Sequence, residues 1–246
     1  MAAVLLHGAW QGSWAWDRLT PLLTEAGIES RALDLPGNGR DETKASDVSL
    51  ALYVAHVCQR IDGIDGRVVL VAHSGGGLVA SQVAEAVPER IAGIVYVAGM
   101  MLPSGVAFAD LTAELIRDDP RAAGIGPHLV WAPDRLTSRV PEGAALHFFF
   151  HDCPADFARA AARRLVPHPE GGRAVRPSLT PERFGRIPRL YVETLHDRSV
   201  VLAAQRRMQA LVPGAAVASL PTGHAPQLAA PDKLAACLIP WLREAA

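Results

Sequence analysis

The run RVVLVAHSGGGLVASQVAEAV, residues 67 to 87, passes from an unbroken apolar stretch through one serine and three glycines straight into a helical pattern. A strand that is apolar without alternation has both faces covered, as in a parallel sheet sandwiched between helices. The step from strand to helix occupies only Ala72 to Gly76, so Ser74 sits on a tight turn at the strand's carboxyl end. Such a turn tolerates only small residues two positions to either side, and Ala72 and Gly76 meet that demand. The segment predicts an α/β fold and nominates Ser74 as a nucleophile. A phosphate-cradling turn is the alternative, but the G-x-G-x-x-G order and the Walker lysine are missing.

Further apolar or alternating runs at 2–6, 28–33, 91–98, 188–194 and 216–220 read as strands. Helical patterns lie at 14–26, 48–61, 76–87, 200–211 and 231–243. Their alternation predicts a mostly parallel sheet of about six strands joined by right-handed crossovers. It lapses after Gly99 and resumes near Arg186. The stretch between carries Pro103, Pro120, Pro127, Pro133, Pro141 and Pro154, with helical pieces EGAALHFFF and PADFARAAARRL. The expected organisation is a core of residues 1–102 and 186–246 and a mainly helical cap, or lid, over 103–185.

Partners for Ser74 follow in the order acid, then histidine. Asp197 ends RLYVETLHD, before a helix opening at Ser199, and His224 ends AVASLPTGH. Both fall at strand ends, where open parallel sheets bind ligands. Glu193 is the second-choice acid, disfavoured because it lies inside a strand. In this arrangement His224 takes the serine proton and Asp197 orients the imidazole and stabilises its charged form. The oxyanion needs two donors, one being the N–H of Gly75 and the other coming from the loop after an early strand. That loop lies within AAVLLHGAWQGSWAW, where Gly8 and Gly12 adjoin Trp10, Trp14 and Trp16. Trp10 is expected to wall the pocket, and Trp14 and Trp16 to pack beneath it as core.

Composition excludes other classes. Among 246 residues, 24 basic side chains nearly balance 25 acidic ones, which argues against nucleic acid or a membrane surface as partner. Cys58, Cys153 and Cys237 are odd in number and widely spaced, so neither a disulfide framework nor a zinc knuckle is expected. No apolar run reaches the ~20 residues that span a bilayer, and a cytoplasmic protein is the expectation, a homodimer being among the compatible states. His147 and His151 are four apart but lack the H-E-x-x-H glutamate, so packing is favoured over metal binding. Trp131 and the phenylalanines 148–150 are candidates to line an apolar acyl or aryl pocket.

The stretches LLHGAWQGSWAWDRLTPLLTEAGIESRALDLPGNG, VAHSGGG, ETLHDRS and GHAPQLAAPDKLA resemble the α/β-hydrolase family. More narrowly they are similar to the branch holding plant methylesterases, the salicylate-binding esterase, hydroxynitrile lyases and bacterial esterases. The resemblance implies the α/β-hydrolase fold, a triad of Ser74, Asp197 and His224, and an oxyanion hole from the N–H groups of Ala9 and Gly75. Lyases of that branch carry Thr at the position of Gly8, an acid at His73 and Lys at Ala225, so these pocket positions are of the esterase kind here. The implied activity is a carboxylesterase acting on small esters with an apolar or aromatic part, with neither metal nor other cofactor. Alternatives are hydrolysis of a C–C, lactone or amide bond, a hydroxynitrile lyase, and a slow-turnover small-molecule receptor.

Overall fold

The computed structural model describes residues 2–245. Six parallel strands form the central sheet: β1 (Ala2–Leu6), β2 (Glu29–Leu33), β3 (Val68–His73), β4 (Ile91–Val97), β8 (Arg189–Thr194) and β9 (Ala216–Leu220), in the order β2-β1-β3-β4-β8-β9. All six lie within a residue or so of the predicted runs. Between β4 and β8 the chain forms a second, antiparallel sheet of three short strands, β5 (Val130–Trp131), β6 (Thr137–Arg139) and β7 (His168–Pro169).

The helices are α1 (Thr20–Glu25), α2 (Leu50–Asp62), α3 (Gly76–Ala86), α4 (Phe108–Leu115), α5 (Glu142–Phe148), α6 (Ala155–Ala162), α7 (Leu202–Leu211), α8 (Pro226–Ala229) and α9 (Pro231–Glu244). Among the described residues, none is long and apolar enough to cross a membrane.

Side chains alternate across the sheet, so each central strand feeds two apolar layers. Val4, Leu6, Val68 and Leu70 pack with Val57 of α2, Val83 of α3 and Met208 of α7. Their neighbours Ala3, Leu5, Val69 and Val71 pack on the other face with Trp16, Leu23 of α1 and Leu238 of α9. Every residue of β1, β3, β4 and β8 is buried, and the runs of β1, β3 and β4 accordingly read as continuous rather than alternating, whereas β8 also buries Arg189, Glu193 and Thr194. Gly93 in β4 admits the ring of Trp241, since a Cβ there would lie 2.3 Å from it.

The predicted helix over 14–26 is divided: a 3-10 turn at Ser13–Trp16 precedes α1. Pro21 has no N–H to continue a helical ladder from Asp17, so the α-helix starts afresh with the proline in its first turn. The predicted cap segment holds helices α4, α5 and α6, but the small sheet β5-β6-β7 adds a strand component that sequence reading passed over. Its strands are two or three residues long, too short to show a period of two.

Candidate active site

At the carboxyl edge of the sheet, β3 turns directly into α3 and leaves Ser74 at φ +51°, a left-handed conformation that costs a non-glycine residue about 1–3 kcal/mol. Tight packing on both sides enforces it. The Ser74 N–H donates to Val97 O at 3.1 Å, and its carbonyl accepts from Met100 N at 2.8 Å. Gly76 has no space for a side chain, because a Cβ would fall 2.6 Å from the carbonyl oxygen of His7. The small-residue rule around the serine therefore has its physical cause in the backbone of the loop after β1.

His224, at the start of the loop leading into α8, places Nε2 3.1 Å from Ser74 Oγ, and its Nδ1 lies 2.8 Å from Asp197 Oδ2. The Asp197 carboxylate also accepts from Ser199 N at 2.7 Å, Val200 N at 2.9 Å and Thr194 Oγ1 at 3.0 Å. These donors fix its orientation toward the imidazole. Asp197 and His224 are both buried. Glu193 is occupied elsewhere, bonded by Arg206 at 3.1 Å, Gln209 at 3.1 Å and Ser219 at 3.0 Å.

The backbone N of Ala9 faces Gly75, and a Cβ built on Gly75 would stand 3.8 Å from it. Among the described residues neither the Ala9 N–H nor the Gly75 N–H donates to any protein group. Two unspent donors thus converge beside Ser74. Gly8 is required for this approach, as a Cβ would sit 2.8 Å from His73 Nδ1 and 3.0 Å from Ser74 Cβ.

Trp10 adopts φ +63° and is tied to the small antiparallel sheet. Its indole N–H donates to Ser138 O at 3.0 Å, its backbone N–H to His168 Nδ1 at 3.3 Å, and its carbonyl accepts from Val166 N at 2.9 Å. Sequence reading missed Ser138 and His168, because nothing in a lone serine or histidine of a Pro-rich segment marks it as a brace for a loop some 130–160 positions away.

His73 is fully buried with its ring 4.7 Å from that of His224, and its Nε2–H donates to the carbonyl of His224 at 2.8 Å. Burial, with the neighbouring His224 adding to it, holds the His73 imidazole well below the usual histidine range, so it is neutral. Burial likewise lowers His7, and pushes His168 down to about 3.

A cavity of about 420 Å³ opens onto Ser74 and His224, with apolar walls from Trp10, Leu78, Val79, Phe108, Ile125 and Phe149. Gly8, Ala9, Trp10, His73 and Gly75 all border it. Two expected pocket residues do not. Trp131 lies on the outer surface, 37% exposed, beneath the guanidinium groups of Arg135 and Arg173, because the two-residue strand β5 is the edge of its sheet. Ala225 is fully buried in an apolar cluster with Trp14, Phe150 and Leu228 and is not among the residues that line the cavity. Phe149 stands against the His224 ring at 5.3 Å, whereas Phe148 faces His128 and Phe150 is core.

A second hollow of about 750 Å³ lies beyond Asp197, between Arg121, His128, His147 and Arg198, and Ser74 is not among its walls. His147 and His151 do not share a helical face, since α5 ends at Phe148, and no metal-holding cluster of three or more His, Cys, Asp or Glu occurs among the described residues. Burial pushes the Cys153 thiol up to about 12, which leaves it un-ionised and inert.

A family profile described as "Alpha/beta hydrolase family" matches residues 3–237. The pyrethroid hydrolase of Sphingobium wenxiniae is 30% identical over an alignment of 256 positions, covering 94% of this chain and 84% of that protein. Methylesterase 7 of Arabidopsis thaliana is 28% identical, covering 96% of this chain and 94% of that protein. The crystal structure of a pyrethroid hydrolase from Sphingobium faniae JZ-2 superposes with a TM-score of 0.86 at 26% identity, covering 99% of this chain and 97% of that one.

Proposed function

The chain belongs to the alpha/beta hydrolase family, and from that premise we propose that it hydrolyses small, uncharged carboxylic esters through an acyl-enzyme on Ser74. The observation that carries the reading is the line Asp197–His224–Ser74, with contacts of 2.8 and 3.1 Å, ending beside two free N–H groups in one cavity. Relatives named as a pyrethroid hydrolase and a methylesterase support ester hydrolysis.

In the reaction Ser74 Oγ attacks the ester carbon while His224 Nε2 takes its proton. The carbonyl oxygen becomes an oxyanion between the N–H groups of Ala9 and Gly75, which need no reorganisation because neither is engaged beforehand. Imidazolium formed on His224 is stabilised by Asp197 and returns the proton to the departing alkoxide. Water then attacks the acyl-enzyme by the same relay and releases the acid.

The substrate class follows from the cavity walls. Its volume suits a small molecule, and its surface is mainly apolar and aromatic. The guanidinium groups at its rim are neutralised, Arg173 by Glu170 at 2.7 Å and Arg176 by Asp110. A charged ester would enter without a partner and lose its hydration.

The test is a panel of methyl, aryl and lactone substrates assayed with the wild type and Ser74→Ala, with products read by mass. Ester turnover is expected to drop by roughly a thousandfold or more in Ser74→Ala. Equal rates in the two proteins would remove Ser74 from the mechanism.

A further inference from the structure

The loop that presents His224 is held from three directions, one of them being the N–H of His196, which donates to the Thr222 carbonyl at 3.0 Å. From the core, His73 Nε2–H donates to the His224 carbonyl at 2.8 Å. From the segment between β4 and β8, the Asp152 carboxylate accepts the N–H of Gly223, the residue immediately before His224, at 2.6 Å. Gly223 fits so closely against this segment that a Cβ would lie 2.6 Å from His151 Cε1 and 2.7 Å from Asp152 Oδ1. Three residues before Asp152, Phe149 covers one side of the His224 ring.

We propose that Asp152 is a positioning residue that sets the place of His224 through the Gly223 peptide. The proposal rests on the triad reading given above. The bond between Asp152 and Gly223 is charge-assisted and short, and it grips the Thr222–Gly223 peptide, whose rigid plane ends at the Gly223 Cα, one residue before the His224 Cα. Freed of it, the loop keeps its anchors at His73 and at the His196 N–H, which donates to the Thr222 carbonyl at 3.0 Å, but the Gly223–His224 stretch between them can shift. A displacement of the imidazole by about 1 Å is enough to lower catalysis by roughly a hundredfold. Sequence distance hides the relation, because Asp152 and Gly223 are 71 positions apart.

The experiment measures kcat and KM on a neutral aryl ester for the wild type, Asp152→Ala, Asp152→Asn, Asp152→Glu and Ser74→Ala, with a thermal melt of each. Asp152→Ala is expected to lose kcat by about ten- to a hundredfold with KM within about twofold. Asp152→Asn keeps an oxygen acceptor in the same place and should return to within about threefold of the wild type. Asp152→Glu keeps the charge but displaces it by one methylene, and should lose kcat like the alanine variant. Should Asp152→Ala fail to fold, the Asn and Glu variants decide the matter alone.

A glutamate variant more active than the asparagine one would show that charge rather than position matters, and would overturn the proposal. So would wild-type kcat in Asp152→Ala, or a loss confined to KM. Activity surviving in Ser74→Ala is the separate signature of a wrong triad, visible whatever the Asp152 variants do.

Discussion

The two halves of the candidate active site are held together by different physics. The sheet side, with Ser74, Asp197 and the loop after β1, rests on strands whose residues are all buried and on two thick apolar layers. The opposite side, residues between β4 and β8, rests on a smaller cluster in which Ala145, Ala158, Ala161, Ala162, Phe149 and Phe150 pack with Trp10, Trp14 and Leu228 of the core. Its surface carries ion pairs such as Arg159–Asp156, Arg163–Glu142 and Arg121–Asp119. Alanine buries little area, and exposed ion pairs contribute little. The lesson is that this side joins the core through one smaller apolar cluster together with a few specific bonds, those of Trp10 to Ser138 and His168 and of Gly223 to Asp152.

The largest expected effect tests the sheet side. Leu70→Ala, at a fully buried position of β3, should cost about 2–5 kcal/mol and lower the melting temperature by roughly 5–15 °C. A loss under about 1 kcal/mol, measured by thermal denaturation, would break the contrast. Next comes the loop after β1: Gly8→Ala puts a methyl group 2.8 Å from His73 Nδ1 and so pushes Ala9 away from Gly75. Loss of a single oxyanion donor costs about a hundred- to a thousandfold, so a partial shift is expected to lower kcat by roughly ten- to a hundredfold with KM little changed. Steady-state kinetics showing unchanged kcat would dissociate the Ala9 N–H from the reaction.

Acid should bear on both sides. His7 and His73 beneath the sheet edge and His168 in the small sheet are neutral when folded because burial lowers their pKa values. In the unfolded chain they take protons below about pH 6.5, so the unfolded state binds more protons there and stability falls with falling pH. For His168 the window runs from about 6.5 down to about 3, at ~1.4 kcal/mol per pH unit. His168→Gln should lessen the pH slope of denaturant-derived stability over pH 6 to 4, and an unaltered slope would count against the buried neutral form. The smallest effect belongs to the far surface. Arg159→Ala breaks a pair whose aspartate is 99% exposed, and its melting temperature should stay within about 2 °C of the wild type.

Legibility in the sequence follows the same division. The apolar runs of β1, β3 and β4 and the serine turn were readable because they are local, set by burial on both faces and by sterics within five residues. Asp197 and His224 were readable because chain order and strand ends fix where they fall relative to Ser74. Trp131 and Ala225 are expected in the pocket from sequence and lie outside its lining, since a residue type does not tell which way a short edge strand or a loop alanine turns.

By itself the sequence determined the parallel sheet, the serine on its tight turn and the glycine that lets a backbone come close. Tertiary structure decided that His168 and Ser138 brace Trp10, that Phe149 covers His224 and that Asp152 holds Gly223. The physical reason is range. Periodicity and backbone sterics act between neighbours and leave a pattern in the chain, whereas one hydrogen bond across 71 positions leaves none until the fold brings its two ends together.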